Sequence, residues 1–283
     1  LTYGGVCVVG TGSAPFSGPM ELDSVFAASG DYGQVGIADA RGDVMAIIGI
    51  SSGTAVDDAE DEVSSNQNHI YVYGEKVHRD WRRLNATSVD PETSETVTTG
   101  LAADVAGCLA RTDRLTSPWF SPAGIRRGQI LDVLRLAKDL TPVEQDTLYD
   151  GAINPVVTFP GEGTILFGDK TSASSTSTLS RINVARLFIY LQKVLGTAAR
   201  RILFEQNDNT TRQQFVNSVV PFLDSIVGQR GITEYQVICD ETNNTSDIVD
   251  SNQFVADVFV KPTKSVNFIR LRFTNVSEGT PLS

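Results

Sequence analysis

Between residues 253 and 273 the chain alternates with a period of two. Phe254, Ala256, Val258 and Val260 fall on one parity. Further on, Asn267, Ile269, Leu271 and Phe273 share one face, with Phe268, Arg270 and Arg272 on the other. Alternation with one apolar set is the pattern of half-buried strands. With "TEYQVICD" at 233–240 it predicts three strands. A chain that ends on strands presents a sheet edge, and an uncovered edge is a template for pairing with another chain. Either something covers that edge or pairing is its purpose. Asp257, Lys261, Arg270 and Arg272 put charge there, a guard against indiscriminate pairing. Pro262 and Lys264 interrupt the last two strands, so they are not expected to form a tight hairpin.

Upstream, "YGGVCVV" (3–9), "VMAIIGI" (44–50) and "HIYVYGEKV" (69–77) read as strands. "TAVDDAEDEVSS" (54–65) reads as an acidic helix with Thr54 as its N-cap. Strand, helix and strand with short links predict an α/β unit with a partly parallel sheet. A small-residue helix follows at 101–112, then a stiff loop, "SPWFSPAGIRRGQI". At 141–144, Thr141, Pro142 and Glu144 make a capping box with proline at the first helical position. A domain division is expected near 140. Two short strands then flank 161–163. The helix expected at 180–201 carries apolar residues Ile182, Ala185, Leu187, Ile189, Leu191 and Leu195 over more than one narrow face, the mark of a buried helix. The helix at 210–228 has Phe215, Val219, Phe222 and Ile226 on one stripe, a possible kink at Pro221 and a stop at Gly228 or Gly231. The expected fold class is α/β plus α+β: an α/β domain over 1–140, then a domain over 141–283 of helices packed on a small mixed β-sheet.

The 283 residues carry a formal net charge of −11. That balance argues against wrapping nucleic acid, which needs a basic footprint. No apolar run approaches the length of a transmembrane helix, so membrane insertion is not expected. The start, "LTYGGVCVVG", has neither the basic region of a signal peptide nor an initiator Met, and the chain is expected to be a fragment or a processed product. Cys7, Cys108 and Cys239 are too few and too far apart for a disulfide framework; they read as reduced, buried thiols. His69 and His78 lack further ligands at metal-site spacing. Asp240 and Glu241 follow Cys239, the wrong setting for a reactive thiolate. Gly10-x-Gly12 is only a partial dinucleotide fingerprint. The acidic cluster from Asp57 to Glu62 lacks the spacing of a calcium loop and reads as a solvated face. No catalytic residue, metal site or cofactor is expected, and the chain is not read as an enzyme.

"LAADVAGCLARTD", "SPWFSPAGIRRGQI", "LYDGAINPVVTFPGEGTILFGDKT", "SRINVARLFIYLQK", "LFEQNDNTTRQQF" and "YQVICDETNNTSDIVDSNQFVADVFVKPTKSVNFIRLRF" follow one another in order. Together, over roughly 101–279, they resemble the contractile tail sheath protein of myovirus-type bacteriophages. The resemblance implies a virion subunit, assembled in the host bacterial cytoplasm, that forms hexameric rings stacked helically around a tail tube. Contraction of that stack drives the tube through the host envelope for genome ejection, with no cofactor. It implies as partners other copies of itself, the tail tube protein, and baseplate and tail terminator proteins. It makes the C-terminal domain the inner one, with inter-subunit strand exchange at Phe254, Val258, Val260, Phe268, Ile269, Leu271 and Phe273, and with tube-facing candidates Thr211, Arg212 and Gln213. Sheath proteins of this kind normally carry an N-terminal arm and outer domains ahead of the α/β unit; the sequence starts without them. The alternatives are another tail or adhesion structural protein, or a nucleotide-dependent α/β enzyme.

Overall fold

A computed structural model describes residues 6–11, 45–63, 69–79, 96–173 and 177–265. Its centre is a five-stranded sheet in the order β1-β2-β3-β7-β8, formed by β1 (Val6–Thr11), β2 (Met45–Ile50), β3 (Ile70–Tyr73), β7 (Ile153–Phe159) and β8 (Gly163–Leu166). β1, β2, β3 and β7 run parallel, with Val8 opposite Ile47, Ile48 opposite Tyr71, and Tyr71 opposite Ile153. β8 returns antiparallel from β7. The partly parallel sheet follows from the near-continuous apolar runs, which need cover on both faces.

Both faces are covered. Met45, Ile47, Ile70 and Val72 meet helix α1 (Ala102–Leu115) through Val105, Cys108 and Leu109. Ala46, Ile48, Ile50, Tyr71 and Tyr73 face the other way, towards Val56, Ala59 and Leu148 of helix α2 (Pro142–Asp150). The period of two thus sorts each strand between two separate cores.

The run at 69–77 is not one strand. Gly74 has φ +107° and turns the chain out of β3 into β4 (Glu75–Arg79). β4 lies between β5 (Thr96–Gly100) and β6 (Arg135–Leu136) in an antiparallel three-stranded sheet. The glycine supplies a backbone angle that a side chain would strain. Nor do the described residues of the acidic segment, 54–63, form the helix expected at 54–65. Turns lead into one 3-10 turn, Ala59–Glu62, and the Tyr73 hydroxyl donates to the carbonyl oxygen of Thr54 at 2.6 Å. That bond ties the segment down as a turn, and only Val56 and Ala59 are buried from it.

The capping box forms as expected. Thr141 Oγ1 accepts from the Glu144 N–H, and the Thr141 N–H donates to Glu144 Oε2 at 2.8 Å. α2 packs on the first sheet through Leu148, and β7 and β8 belong to that sheet, so a cut at 140 would separate them from β1, β2 and β3.

The second assembly of elements is α3 (Ile182–Arg200), α4 (Asn209–Gly228), β9 (Ile232–Ile238), the short α5 (Ser246–Asp250) and β10 (Asp257–Pro262). Leu187, Leu191, Phe215, Val219, Leu223 and Ile226 form its core with Trp119 from the loop before β6. Leu223 takes the fully buried place on α4, while Phe222 is only partly buried. Pro221 lies inside the helix, which runs through it. At the end of α4, Arg230 (φ 63°) takes the left-handed position. Its N–H donates to the Val227 carbonyl and the Gly231 N–H to the Ile226 carbonyl, both at 2.9 Å. This pair of bonds is a Schellman stop. A Cβ on Gly231 would sit 2.5 Å from Ile226 Cγ2 and 3.0 Å from the Trp119 ring, so the turn needs glycine there.

Candidate assembly interface

β9 and β10 pair antiparallel, Asp257 opposite Ile238 and Val260 opposite Tyr235, with the register slipping between Lys261 and Pro262. Proline has no N–H to give a ladder, which places it at a strand end or a bulge. Among the described residues this ribbon has two strands. The outer edge of each therefore has no described partner strand.

One face of β10 lies on the helices. Val258 and Val260, with Phe254 just before the strand, pack against the α3–α4 core, and the Phe254 ring meets the Phe215 ring edge-on at 5.6 Å. Asp257, Phe259 and Lys261 point to solvent, Phe259 with 56% of its surface exposed. The side chains of Phe254, Val258 and Val260 thus hold the ribbon onto its own domain, and what the ribbon can offer outward is main chain. Phe268, Ile269, Leu271 and Phe273 lie outside the described residues.

The start of α4 corrects one expectation. Asp208 caps the helix by accepting from the Thr211 N–H at 2.8 Å, which lowers the Asp208 pKa through that backbone hydrogen bond. Thr211 and Arg212 are buried, and only Gln213 is exposed. Arg212 falls one turn before Phe215 and Val216, on the side turned to the core, so its stem packs inward. It donates through Nη2 to Asn207 Oδ1 at 3.4 Å. The apolar stripe alone did not reveal this, because Arg212 is counted polar while most of its side chain is aliphatic.

Two side-chain links, each partly buried, join the first sheet to the second assembly. Asp169, after β8, accepts from Arg181 Nη1 at 3.0 Å, from the Tyr149 hydroxyl at 3.3 Å and from Ser265 Oγ at 2.7 Å. On the opposite side, Arg186 of α3 donates through Nη2 to both oxygens of Asp113 of α1, at 2.5 and 2.6 Å. A cleft of about 570 Å³ at this junction is lined by Trp119, Tyr149, Phe167, Asn183 and Lys264 among others.

The residues weighed for chemistry are dispersed. His69 is buried, and its Nδ1 accepts from the Ala46 N–H at 3.4 Å. His78 lies on β4, 3.9 Å from Asp132. Cys108 and Cys239 are free and buried, and burial pushes both thiols up, away from the reactive thiolate. The side chain of Cys7, and Gly12 of the glycine pair, lie outside the described residues. Among the described residues no group of His, Cys, Asp and Glu is placed to hold a metal ion, and no helix is long and apolar enough to cross a membrane.

Residues 34–172 match the model of the phage tail sheath protein central domain, and residues 174–274 match the model of the phage tail sheath C-terminal domain. The chain belongs to the phage tail sheath family. It is 49% identical over 177 residues to the tail sheath protein of Vibrio phage KVP40, and 45% identical over 179 residues to that of Enterobacteria phage T4. These matches take in 62% and 63% of the chain. The chain spans about a quarter of the length of these relatives, 26% and 27%. Its fold is shared with the sheath of an extracellular contractile injection system solved in the contracted state, PVC, at a TM-score of 0.69 and 21% identity, over 81% of this chain and 63% of that one. It is also shared with a chain of the anti-feeding prophage baseplate, at a TM-score of 0.67 and 19% identity, over 83% of this chain and 61% of that one. The sheath family is structural, not enzymatic. The boundary between its two matched domains, at 172–174, falls at the link between β8 and α3, after both strands of the hairpin have joined the first sheet.

Proposed function

We propose that the chain is part of the structural subunit of a contractile bacteriophage tail sheath. The subunit polymerises as stacked hexameric rings around a tail tube and shortens to drive the tube through the host envelope. Its partners are other copies of itself, the tube protein, and baseplate and terminator proteins, and its place is the virion tail. The observation that carries this reading is the pair of consecutive sheath-domain matches over 34–172 and 174–274.

Within that reading the central domain ends near 173 and the inner domain begins there. Neighbouring subunits complete the β9–β10 ribbon by pairing on its outer edges, since main-chain pairing demands little of side chains. Phe254, Val258 and Val260 anchor the ribbon that receives those strands, and the segment holding Phe268, Ile269, Leu271 and Phe273 is the one exchanged. Of the tube-facing candidates, Gln213 keeps the role; Thr211 and Arg212 support the helix from beneath.

Electron microscopy of the purified assembly tests the reading: striated tubes or rings are expected, and isolated monomers or trimers would refute it. Truncation after Lys264 tests the exchange. β10 ends at Pro262, so the shortened chain keeps both strands of the ribbon; of the described residues it loses Ser265, with its contact to Asp169. It should fold and fail to polymerise. Normal sheaths from the truncated subunit would remove the exchange role, and outright unfolding would make the terminal segment core.

A further inference from the structure

The two faces of the central sheet differ in charge. On the α1 side, residues 111–135 carry Arg111, Arg114, Arg126, Arg127 and Arg135 against Asp113 and Asp132. Asp113 is engaged by Arg186. Arg114, Arg126 and Arg135 are exposed. Beside them, on the same short stretch of chain, stand four apolar side chains in solvent: Leu115 (60% exposed), Ile125 (60%), Leu131 (62%) and Leu134 (54%). Val105, Cys108, Leu109, Ile130 and Leu136 share one core, so α1 and the 130–136 segment cover the same side of the sheet, while 124–130 runs along the outer edge of β8, where the Ile130 N–H donates to the Thr164 carbonyl and the Leu166 N–H to the Gly128 carbonyl. Exposed apolar groups interspersed with arginines along one stretch, on a chain otherwise strongly acidic, have the composition of a contact surface.

The opposite face is acidic. Asp57, Asp58, Glu60 and Asp61 project from the turn that covers β2 and β3. α2 adds exposed Asp146 and Asp150 next to it; a Cβ on Gly151 would touch Glu60 Cγ, so turn and helix adjoin. Lys138 and Lys170, the lysines on this side, are already paired with Glu144 and Asp150. Val143, 75% exposed, stands on the same helix.

We propose that the arginine-rich α1 face of one subunit docks on the acidic α2 face of the next copy. The apolar side chains meet at the centre and Arg114, Arg126 and Arg135 face carboxylates around it. Arg114 and Arg135 with their apolar neighbours lie on the α1 side of the sheet, Arg126 at its edge and the acidic turn on the other side, so the contact is head-to-tail. Repeating such a contact generates a closed ring or an open helix, never a closed two-fold dimer. The inference rests on the sheath reading and names the surfaces that reading leaves open. It is separate from the strand-exchange edge, which lies on the β9–β10 ribbon.

The test uses the whole sheath subunit carrying these residues. Assembly is followed by sedimentation and negative-stain microscopy, and folding by circular dichroism. Arg126→Glu with Arg135→Glu should leave the fold intact. It should raise the free-subunit concentration by about tenfold or more, because like charges across an interface oppose association. Asp58→Lys with Asp61→Lys should do the same. Combining all four substitutions in one chain restores opposite charges with the polarity reversed and should recover assembly. Undiminished assembly of either pair, or a fourfold variant at least as defective as both, overturns the docking. A subunit that forms no sheath before any substitution refutes the sheath reading itself, and the docking with it.

Discussion

Ile47 in β2 and Val258 in β10 occupy comparable points of their strands' alternation, yet their neighbours meet different fates. Ile47 is fully buried under α1, and the next residue, Ile48, is buried under α2. Val258 is half-buried on the helices, and the next residue, Phe259, stands in solvent. The central sheet is covered on both faces. The ribbon is covered on one, with outer edges that have no described partner strand. A strand buried twice contributes most of its free energy within its own chain. A ribbon buried once retains apolar surface and backbone groups for a neighbour. On the reading proposed above, the first region would serve as the rigid body and the second as the joint between subunits.

The largest expected effect separates the two on stability. Ile47→Ala should cost about 2–5 kcal/mol through lost burial and a residual cavity, whereas Phe259→Ala should stay within about 0.5 kcal/mol. Urea unfolding of both variants checks this. Equal costs would break the distinction between body and joint.

A smaller effect probes the link between the regions. Asp113→Ala removes both hydrogen bonds to Arg186, whose side chain is only 8% exposed and whose Nη1 has no hydrogen-bond partner among the described residues. Because Asp113 is itself half in solvent, the expected loss is about 1–3 kcal/mol, below that of a fully buried pair. If the two assemblies unfold together in the parent, this variant should pull their transitions apart when followed by a central and a C-terminal probe. Coincident transitions would make the link dispensable for cooperativity.

The smallest effect is at the surface of the central region. The Glu144 carboxyl accepts first from the Thr141 N–H and also from Lys138, which lowers its pKa from the ordinary 4.5 to about 2. A depressed carboxyl stabilises the fold above its unfolded pKa and loses that contribution as pH falls through the folded value. The difference in melting temperature between parent and Glu144→Gln should therefore be full above about pH 5 and shrink as pH falls towards 2. Thr141→Ala, which removes the other half of the box, should cost about 1 kcal/mol. A difference that grows on acidification would contradict the capping role.

Much of the architecture is legible in the sequence. β2, the β7–β8 hairpin, α1, α3 and α4 announce themselves by periodicity, and α2 by Thr141, Pro142 and Glu144. These signals are local: a helix face or a cap is decided by residues within four positions of each other. The one-sided burial of β10 follows in the same way from the parity of Phe254, Val258 and Val260. The tertiary structure decided what depends on distant partners. It split 69–77 at Gly74 between two sheets, made turns of the acidic residues 54–63 with Thr54 bonded to Tyr73, and gave β7 and β8 to the first sheet. It drew Arg212 under the helix that was expected to display it. It also set Leu115, Leu131 and Leu134 in solvent on the α1 side of the sheet and Asp57, Asp58 and Asp61 on the other. Which face a neighbour covers is fixed by pairing between segments far apart in the chain, and no local period carries that information.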